Sequence, residues 1–173
     1  MKTLICLALL LLALPAAAAQ PHLGQRGTLL DRFAGQWVLT GTIAGQQTTH
    51  DVTAEWVLDQ HYLRFHELAR ETDPVTGGPA YEAIVILGWD EPTEGLACLW
   101  LDSTGGGGLT NGVIGYAVPD DETLAWVFAG GDDEGVIHNT WTYDRAADTW
   151  SWTIDIERGG EQSNFAEVEL RRR

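Results

Sequence analysis

Turn-forming residues break the chain beyond residue 35 into short runs of strand-like composition, spaced roughly a dozen residues apart. The breaks contain glycine, proline and aspartate, as in DPVTGGP at 73–79 and STGGGG at 103–108, and these residues favour tight turns. Such spacing, with no long helical period, is typical of an all-β fold. We predict ten strands, at 36–43, 50–58, 61–69, 81–89, 96–102, 109–117, 123–129, 136–143, 149–157 and 163–171.

The links between the predicted strands are short, so each strand is expected to pair antiparallel with the next one as a meander. An open sheet of this many strands would expose two long edges to unwanted pairing. Closure into an up-and-down barrel removes both edges. A two-sheet sandwich is the main competitor, but it usually needs longer connections between its sheets. We therefore predict a single antiparallel β-barrel domain.

The RAAD segment at 145–148 lets the register of one hairpin be predicted. If these four residues form the loop, one face of the hairpin is aromatic and apolar, and the other is polar. That contrast is expected of a half-buried ribbon, and a one-residue slip would destroy it. The predicted dry pairs are Tyr143 with Trp150, Trp141 with Trp152, and Asn139 with Ile154, and the wet pairs are Thr140 with Thr153 and His138 with Asp155.

A second hairpin is predicted around the DQ dipeptide at 59–60. Its two faces separate in the same way, because one face holds apolar pairs and the other an opposite-charge pair. The predicted pairs are Trp56 with Leu63, Ala54 with Phe65, and Glu55 with Arg64.

The N-terminal segment MKTLICLALLLLALPAAAAQ has one lysine, a short apolar run and then small residues. This order is typical of a secretory signal peptide, and cleavage after Ala19 is the expectation. A lipoprotein signal is disfavoured because Ile5, rather than a small residue, precedes Cys6. We predict a signal peptide at 1–19, a leader at 20–27 and a barrel domain at 28–173 that begins with a short helix. The protein is then expected to be periplasmic or extracellular.

The formal net charge of the chain is −15. A polyanion is repelled by nucleic acid and by anionic membranes, so neither is an expected partner. Once the predicted signal peptide is removed, Cys98 is the remaining cysteine and no membrane-spanning segment is expected. Cys98 lies in the apolar run LACLWL and is expected to be buried. The oligomeric state does not follow from the sequence.

Five segments in order resemble a family of secreted bacterial proteins of unknown function. They are GQW at 35–37, the hairpin WVLDQHYLRF, the pair LGWDEPTEG and CLWLDS, and the final AEVELRR. Together they extend over most of 29–172. The resemblance implies a lipocalin-like, calycin-type barrel.

In lipocalin-like barrels the Gly-x-Trp tryptophan closes one end, and an arginine of the last strand packs across it. The resemblance therefore implies closure by Gly35 and Trp37, with Arg171 as the covering cation. The chain departs from related barrels in other respects. It lacks the lipocalin Thr-Asp-Tyr segment, has Gln60 at the family's hairpin glycine, and shows no Arg-x-Tyr carboxylate clamp in 163–171. No fatty-acid site is implied.

The histidines decide whether haem binding is expected, because the related nitrobindin barrels bind haem through a histidine ligand. A proximal ligand must face a large apolar pocket. The predicted registers place His66 and His138 on the polar face, while His61 lies beside a turn, His50 at a strand start and His22 in the leader. None is expected to face the interior, so no cofactor is predicted. A haem-binding or enzymatic barrel of nitrobindin type is kept as an alternative.

The candidate catalytic and metal-binding residues lack the sequence patterns that such sites need. Ser103 follows Asp102 but lacks a G-x-S-x-G elbow, and the predicted pairing places no serine beside His138 and Asp155. The acidic segments 120–122 and 132–134 lack the EF-hand spacing and are interpreted as solvated turns. No catalytic residue and no metal ligand is predicted.

Eight tryptophans distinguish the composition. They are expected either to fill the barrel or to line a cavity that contains a few polar groups, which is the usual make-up of a small-molecule site. We predict non-catalytic binding of a small hydrophobic or amphipathic molecule, with a structural or interaction module of the cell envelope as a further alternative. The candidate ligand-binding residues are Asn111, Val113, Trp126, Phe128, Asn139, Trp141 and Trp152.

Overall fold

The structure is a computed structural model that describes residues 29–105, 112–129 and 135–173. Two short 3₁₀ turns occur in these ranges, at Leu29–Arg32 and Glu91–Thr93. The strands are β1 (Gly35–Ile43), β2 (Gln46–Val57), β3 (Tyr62–Ala69), β4 (Glu82–Asp90), β5 (Gly95–Asp102), β6 (Val113–Ala117), β7 (Pro119–Asp120), β8 (Thr123–Ala129), β9 (Val136–Asp144), β10 (Thr149–Arg158) and β11 (Glu161–Arg172).

Ten of these strands form a closed antiparallel barrel, and the two-residue strand β7 lies outside it against β8. Each barrel strand pairs with its neighbours in the chain, and β1 pairs with β11 to bring the two ends of the domain together. The remaining seam is the β6–β8 pairing, at Gly115 with Phe128 and Tyr116 with Val127. The predicted meander barrel is confirmed, whereas β7 was not predicted because it occupies part of the PDDE turn.

Both predicted hairpin registers are confirmed. Trp141 pairs with Trp152 and Tyr143 with Trp150 across β9 and β10. Across β2 and β3, Ala54 pairs with Phe65, and Glu55 opposite Arg64 forms an ion pair on the outer face. Alternation of dry and wet positions therefore determined these registers correctly.

The start of β2 differs from the prediction. The strand begins at Gln46, four residues before the predicted start, because β1 and β2 are joined by the two residues Ala44 and Gly45. Both have positive φ, 50° and 77°, as a tight hairpin turn of the primed type requires. His50 consequently lies inside the strand, opposite Leu39, and its side chain faces the barrel interior.

One end of the barrel, called the closed end below, holds the start of β1, the Leu29–Arg32 turn and the end of β11. Trp37 is fully buried there, and its indole N–H donates to the Phe33 carbonyl at 2.6 Å. Gly35 has a φ of 137°, and a Cβ at this position would overlap the guanidinium of Arg172. A side chain other than hydrogen is therefore excluded at the entry to β1.

The guanidinium over the Trp37 ring belongs to Arg172, with its Cζ 3.9 Å from the ring centroid. Arg171 was expected there, and this assignment is wrong by one residue. Trp37 pairs directly with Arg172, so their side chains share a face, whereas Arg171 pairs with Val38. Arg171 instead forms an ion pair with Glu169 on the outside.

Aromatic side chains fill the barrel next to the closed end. Phe33 stacks on Trp150 with ring centroids 3.6 Å apart, and Trp141 stacks on Trp152 at 4.7 Å. Phe65 contacts this group from the opposite wall, at 5.3 Å from Trp152. This half of the barrel is a packed core.

Candidate functional site

A cavity of about 470 Å³ occupies the other half of the barrel, towards the Ala44–Gly45 turn. This end is called the cavity end below. The volume falls within the range of roughly 300–1,000 Å³ that is usual for small-molecule sites. Its wall is mainly apolar, with contributions from Ile43, Trp100, Phe128, Trp152, Ile154 and Phe165.

Small side chains leave this space. Ala69 and Ala166 are buried and line the cavity, where larger residues at the corresponding depth would fill it. Trp152 lies at the boundary with the aromatic core, because it lines the cavity and also stacks on Trp141. Its indole N–H is buried and has no hydrogen-bond acceptor among the described residues. A buried donor without an acceptor is costly, and an acceptor supplied by a ligand or water would satisfy it.

A chain of polar side chains runs along one wall of the cavity. His50 and Glu67 are buried neighbours on β2 and β3, and the His50 Nδ1 is hydrogen-bonded to a Glu67 carboxylate oxygen. The His50 Nε2 lies 2.7 Å from the Thr48 hydroxyl oxygen. The same hydroxyl lies 3.1 Å from the carboxylate of Glu71. Glu67, His50, Thr48 and Glu71 thus form one continuous chain of hydrogen-bonded side chains, in this order.

Proton counting restricts what this chain can do. A threonine hydroxyl has one proton to donate. When Thr48 donates it to Glu71, the His50 Nε2 must itself donate to Thr48, while Nδ1 is hydrogen-bonded to Glu67. When Thr48 donates to His50, two acceptors face each other at the Glu71 contact. The fully bonded arrangement therefore runs from the His50 Nε2 to the Thr48 hydroxyl and on to the Glu71 carboxylate.

This arrangement holds groups in place and does not activate the hydroxyl. Carboxylate, imidazole and hydroxyl follow one another as they do in a hydrolytic triad. A triad, however, needs a neutral imidazole that accepts the proton of the nucleophile. In the fully bonded arrangement the Thr48 proton points to Glu71 and His50 has no free acceptor.

Tyr81 and Trp100 form the polar part of the neighbouring wall. The Trp100 indole N–H donates to the Tyr81 hydroxyl at 3.2 Å, and the Tyr81 ring lies on the His50 ring with centroids 5.6 Å apart. Burial raises the pKa of Tyr81 far above its ordinary value, and the charges of Glu67 and Asp102 add to the shift. The hydroxyl therefore stays neutral and can donate or accept inside the cavity.

The predicted ligand-binding residues occupy different places. Val113, Phe128, Asn139 and Trp152 line the cavity. Trp126 and Trp141 are fully buried in the aromatic core, and the Trp141 indole donates to the Asn139 side-chain oxygen at 2.6 Å. Asn139 therefore has the partner that a buried amide requires. Asn111 lies outside the described residues.

Sequence reasoning missed the polar wall, namely Thr48, His50, Glu67, Glu71 and Tyr81. Glu67 carried a usable signal, because it occupies the inward alternation position of β3 together with Leu63 and Phe65. His50 carried none once the β2 start was placed too late. Tyr81 lies one residue before β4, and sequence patterns do not give the orientation of such a residue.

The expectation that no histidine faces the interior is corrected by His50, so haem must be tested against this site. A haem ligand needs a free imidazole nitrogen, and both nitrogens of His50 are engaged. Haem also carries two propionates, which basic side chains commonly pair. The described lining residues include Glu67, Glu71 and Asp102 but no lysine or arginine. The site does not fit haem.

The other candidate nucleophiles and metal ligands lie elsewhere. Ser103 Oγ accepts from the Glu82 amide at 3.1 Å. His138 is on the outer face and pairs with Glu157 at 3.1 Å. Cys98 is buried, and burial raises the pKa of its thiol well above the ordinary value. Across the described ranges, no group of three or more His, Cys, Asp and Glu side chains is arranged to hold a metal ion.

Of the acidic segment 120–122, Asp120 ends β7 and the other two residues form the turn to β8, while 132–134 lie outside the described residues. In the part of the chain that the structure describes, neither short helical turn is long and apolar enough to span a bilayer. Comparison of the sequence with models of known protein families and with curated proteins gave no match.

Proposed function

We propose that this protein is an exported, lipocalin-like binding protein that holds a small, partly apolar molecule in the cavity, without catalysis. The observation that carries the proposal is the cavity of about 470 Å³ beside a fully packed aromatic core. A barrel that only needed to be stable would gain free energy by filling this space, because buried empty volume costs packing contacts.

Export is proposed from the N-terminal segment alone. The apolar run ending in small residues at 1–19 is that of a signal peptide. Membership of the secreted bacterial family with calycin-type barrels is proposed from the five ordered segments, and the closed ten-strand meander supports it. The site of action would be the periplasm or the extracellular space.

The distribution of polar groups supports reversible binding. A few polar side chains in a mainly apolar wall orient a ligand, while the apolar surface supplies most of the affinity. Here the ionisable groups are gathered on one wall, at His50, Glu67 and Tyr81, and the opposite side is mainly apolar, at Phe128 and Ile154. This asymmetry favours a molecule with one polar end.

Filling the cavity tests the proposal. Ala69 is buried in the cavity wall, and Ala69→Phe would occupy part of the space. Ala125 is exposed on the outside of β8, so Ala125→Phe is the matched control. The probe is N-phenyl-1-naphthylamine, a neutral dye whose fluorescence rises in apolar surroundings.

We expect the wild type and Ala125→Phe to bind the dye alike, and Ala69→Phe to lose at least about tenfold in affinity, or 1.4 kcal/mol. Thermal melts of both variants check that they fold. Dye binding that is unchanged by Ala69→Phe would place the site elsewhere and overturn the proposal. Native mass spectrometry of protein purified from its own source would identify a retained ligand.

A second candidate function, an interaction module, is favoured by an apolar patch on the outside of the barrel. Ile114 and Tyr116 on β6 are 52% and 45% exposed, and Val127, paired with Tyr116, is 44% exposed. Contiguous exposed apolar surface often marks a protein contact. Sedimentation of the wild type and Ile114→Glu tests this. The interaction module would be excluded if the wild type sedimented as a monomer at every concentration and a pull-down with the wild type retained no partner.

A further inference from the structure

Apart from His50, the ionisable carboxyl groups set the charge along the cavity. Glu67, Glu71 and Asp102 line it, and the described lining residues include no lysine or arginine. The Glu71 carboxylate accepts hydrogen bonds from its own backbone amide, from the Thr49 amide and from the Thr48 hydroxyl. These bonds hold the pKa of Glu71 below its usual range. Glu71 is therefore ionised at neutral pH.

His50 cannot neutralise this set. Even as an imidazolium, His50 supplies one positive charge against three carboxylates, and the hydrogen bonds of its ring go to Glu67 and Thr48. Asp102 accepts from the Thr104 amide and hydroxyl at 2.8 and 2.6 Å. The chain as a whole adds a net charge of −15. The cavity therefore has a negative potential, which raises the local concentration of cations.

The aromatic side chains of the lining add contacts that are independent of the acids, although the buried indoles of Trp126 and Trp150 in the core lack an acceptor just as Trp152 does. Trp152 is 2% exposed, lines the cavity, and its indole N–H has no acceptor among the described residues. A bound molecule with an oxygen or another acceptor in its body would satisfy this donor. The Trp100 and Phe128 side chains that line the same space can contact both apolar groups and a cation, since aromatic faces attract positive charge.

We propose that the cavity selects an amphipathic amine, with its cationic head beside Glu71 and Asp102 and its apolar body between the aromatic side chains. This inference rests on the proposed binding function and names the ligand class. It also distinguishes this cavity from carboxylate-binding barrels, which need a basic clamp. An anionic head group would meet three carboxyl groups and no lysine or arginine among the described lining residues.

Three probes with the same tail test the proposal, namely decylamine, decanol and decanoate. Isothermal titration calorimetry at neutral pH and low ionic strength compares their affinities for the full mature protein, below the concentrations at which the probes aggregate. We expect decylamine to bind at least tenfold more tightly than decanoate, with decanol between them. Added salt should reduce the difference, because screening weakens interactions between charges.

The variant Glu71→Gln with Asp102→Asn should bring the affinities for decylamine and decanoate within about threefold of each other. Glu91→Gln, in the turn at the closed end, is the matched control and should keep the wild-type preference. Thermal melts establish that both variants are folded.

The outcomes separate the two proposals. If decanoate binds as tightly as decylamine, or more tightly, the cationic selectivity is overturned while the binding function stands. If the preference survives Glu71→Gln with Asp102→Asn, the selectivity has another origin and the proposal is also wrong. If none of the three probes binds, the binding function itself fails.

Discussion

The guanidinium of Arg172 lies over the indole of Trp37, with 3.9 Å between the Arg172 Cζ and the ring centroid. Arg172 also donates to the Ala34 carbonyl at 2.7 Å and to the Arg32 carbonyl at 2.9 Å, and it pairs with Asp148 at 3.0 Å. One side chain thus connects the last strand, the N-terminal turn and the β9–β10 loop.

Arg172→Ala is expected to destabilise the barrel by about 1–3 kcal/mol, because the cation–π contact and two hydrogen bonds to carbonyls are lost. Arg171→Ala is the matched control, since the neighbouring arginine forms an exposed pair with Glu169 and should change stability by less than about 0.5 kcal/mol. Urea unfolding followed by tryptophan fluorescence measures both. Equal effects of the two substitutions would contradict the assigned role.

The Arg172 contact also predicts a pH dependence. The hydrogen bond from Arg172, followed by that from the Tyr143 hydroxyl, holds the pKa of Asp148 below its usual range, and Arg32 adds to the shift. A carboxyl with a lowered pKa in the folded state stabilises the fold above its unfolded pKa, near 4, and this contribution is lost as the pH falls. Asp148→Asn should therefore reduce stability at pH 7, and the difference from wild type should shrink towards pH 3. Urea unfolding across this range checks it, and a constant difference would argue against the linkage.

The barrel was predictable because its determinants are local. Turn residues mark where strands end, and alternation gives the inward face, so the register of Trp141 with Trp152 follows from two adjacent segments. Arg172 was missed because the resemblance located an arginine near the chain end without fixing which of Arg171 and Arg172 faces Trp37. Alternation within β11, with Ala166, Val168 and Leu170 inward, continues to Arg172, so the local pattern carried the correct assignment.

The cavity was less predictable for a different reason. Alternation states that Ala69 and Ala166 point inwards, but it does not state whether the side chains from the other strands reach far enough to fill the space between them. His50 was missed because Ala44 adopts a φ of 50°, which the sequence does not signal as glycine or asparagine would. Such features depend on packing in three dimensions.

The hydrogen bonding of His50 predicts the outcome of a haem titration. Both ring nitrogens are engaged, and the propionates of haem would face the carboxylates of Glu71 and Asp102. Adding haem to the purified protein should give no Soret shift that depends on His50. Absorbance spectra of the wild type and His50→Ala test this. A shift in the wild type that disappears in His50→Ala would show that Thr48 releases the ring to the iron.

The buried His50 and Glu67 pair is expected to be strongly coupled. His50→Ala would leave the Glu67 carboxylate buried without its imidazole partner, at a cost of about 3–5 kcal/mol. Replacing both, as His50→Leu with Glu67→Leu, removes the charge and its partner together and should cost considerably less than the sum of the single substitutions His50→Leu and Glu67→Leu. A double-mutant cycle by urea unfolding measures the coupling. Single effects that simply add would mean that water, and not His50, stabilises the Glu67 carboxylate.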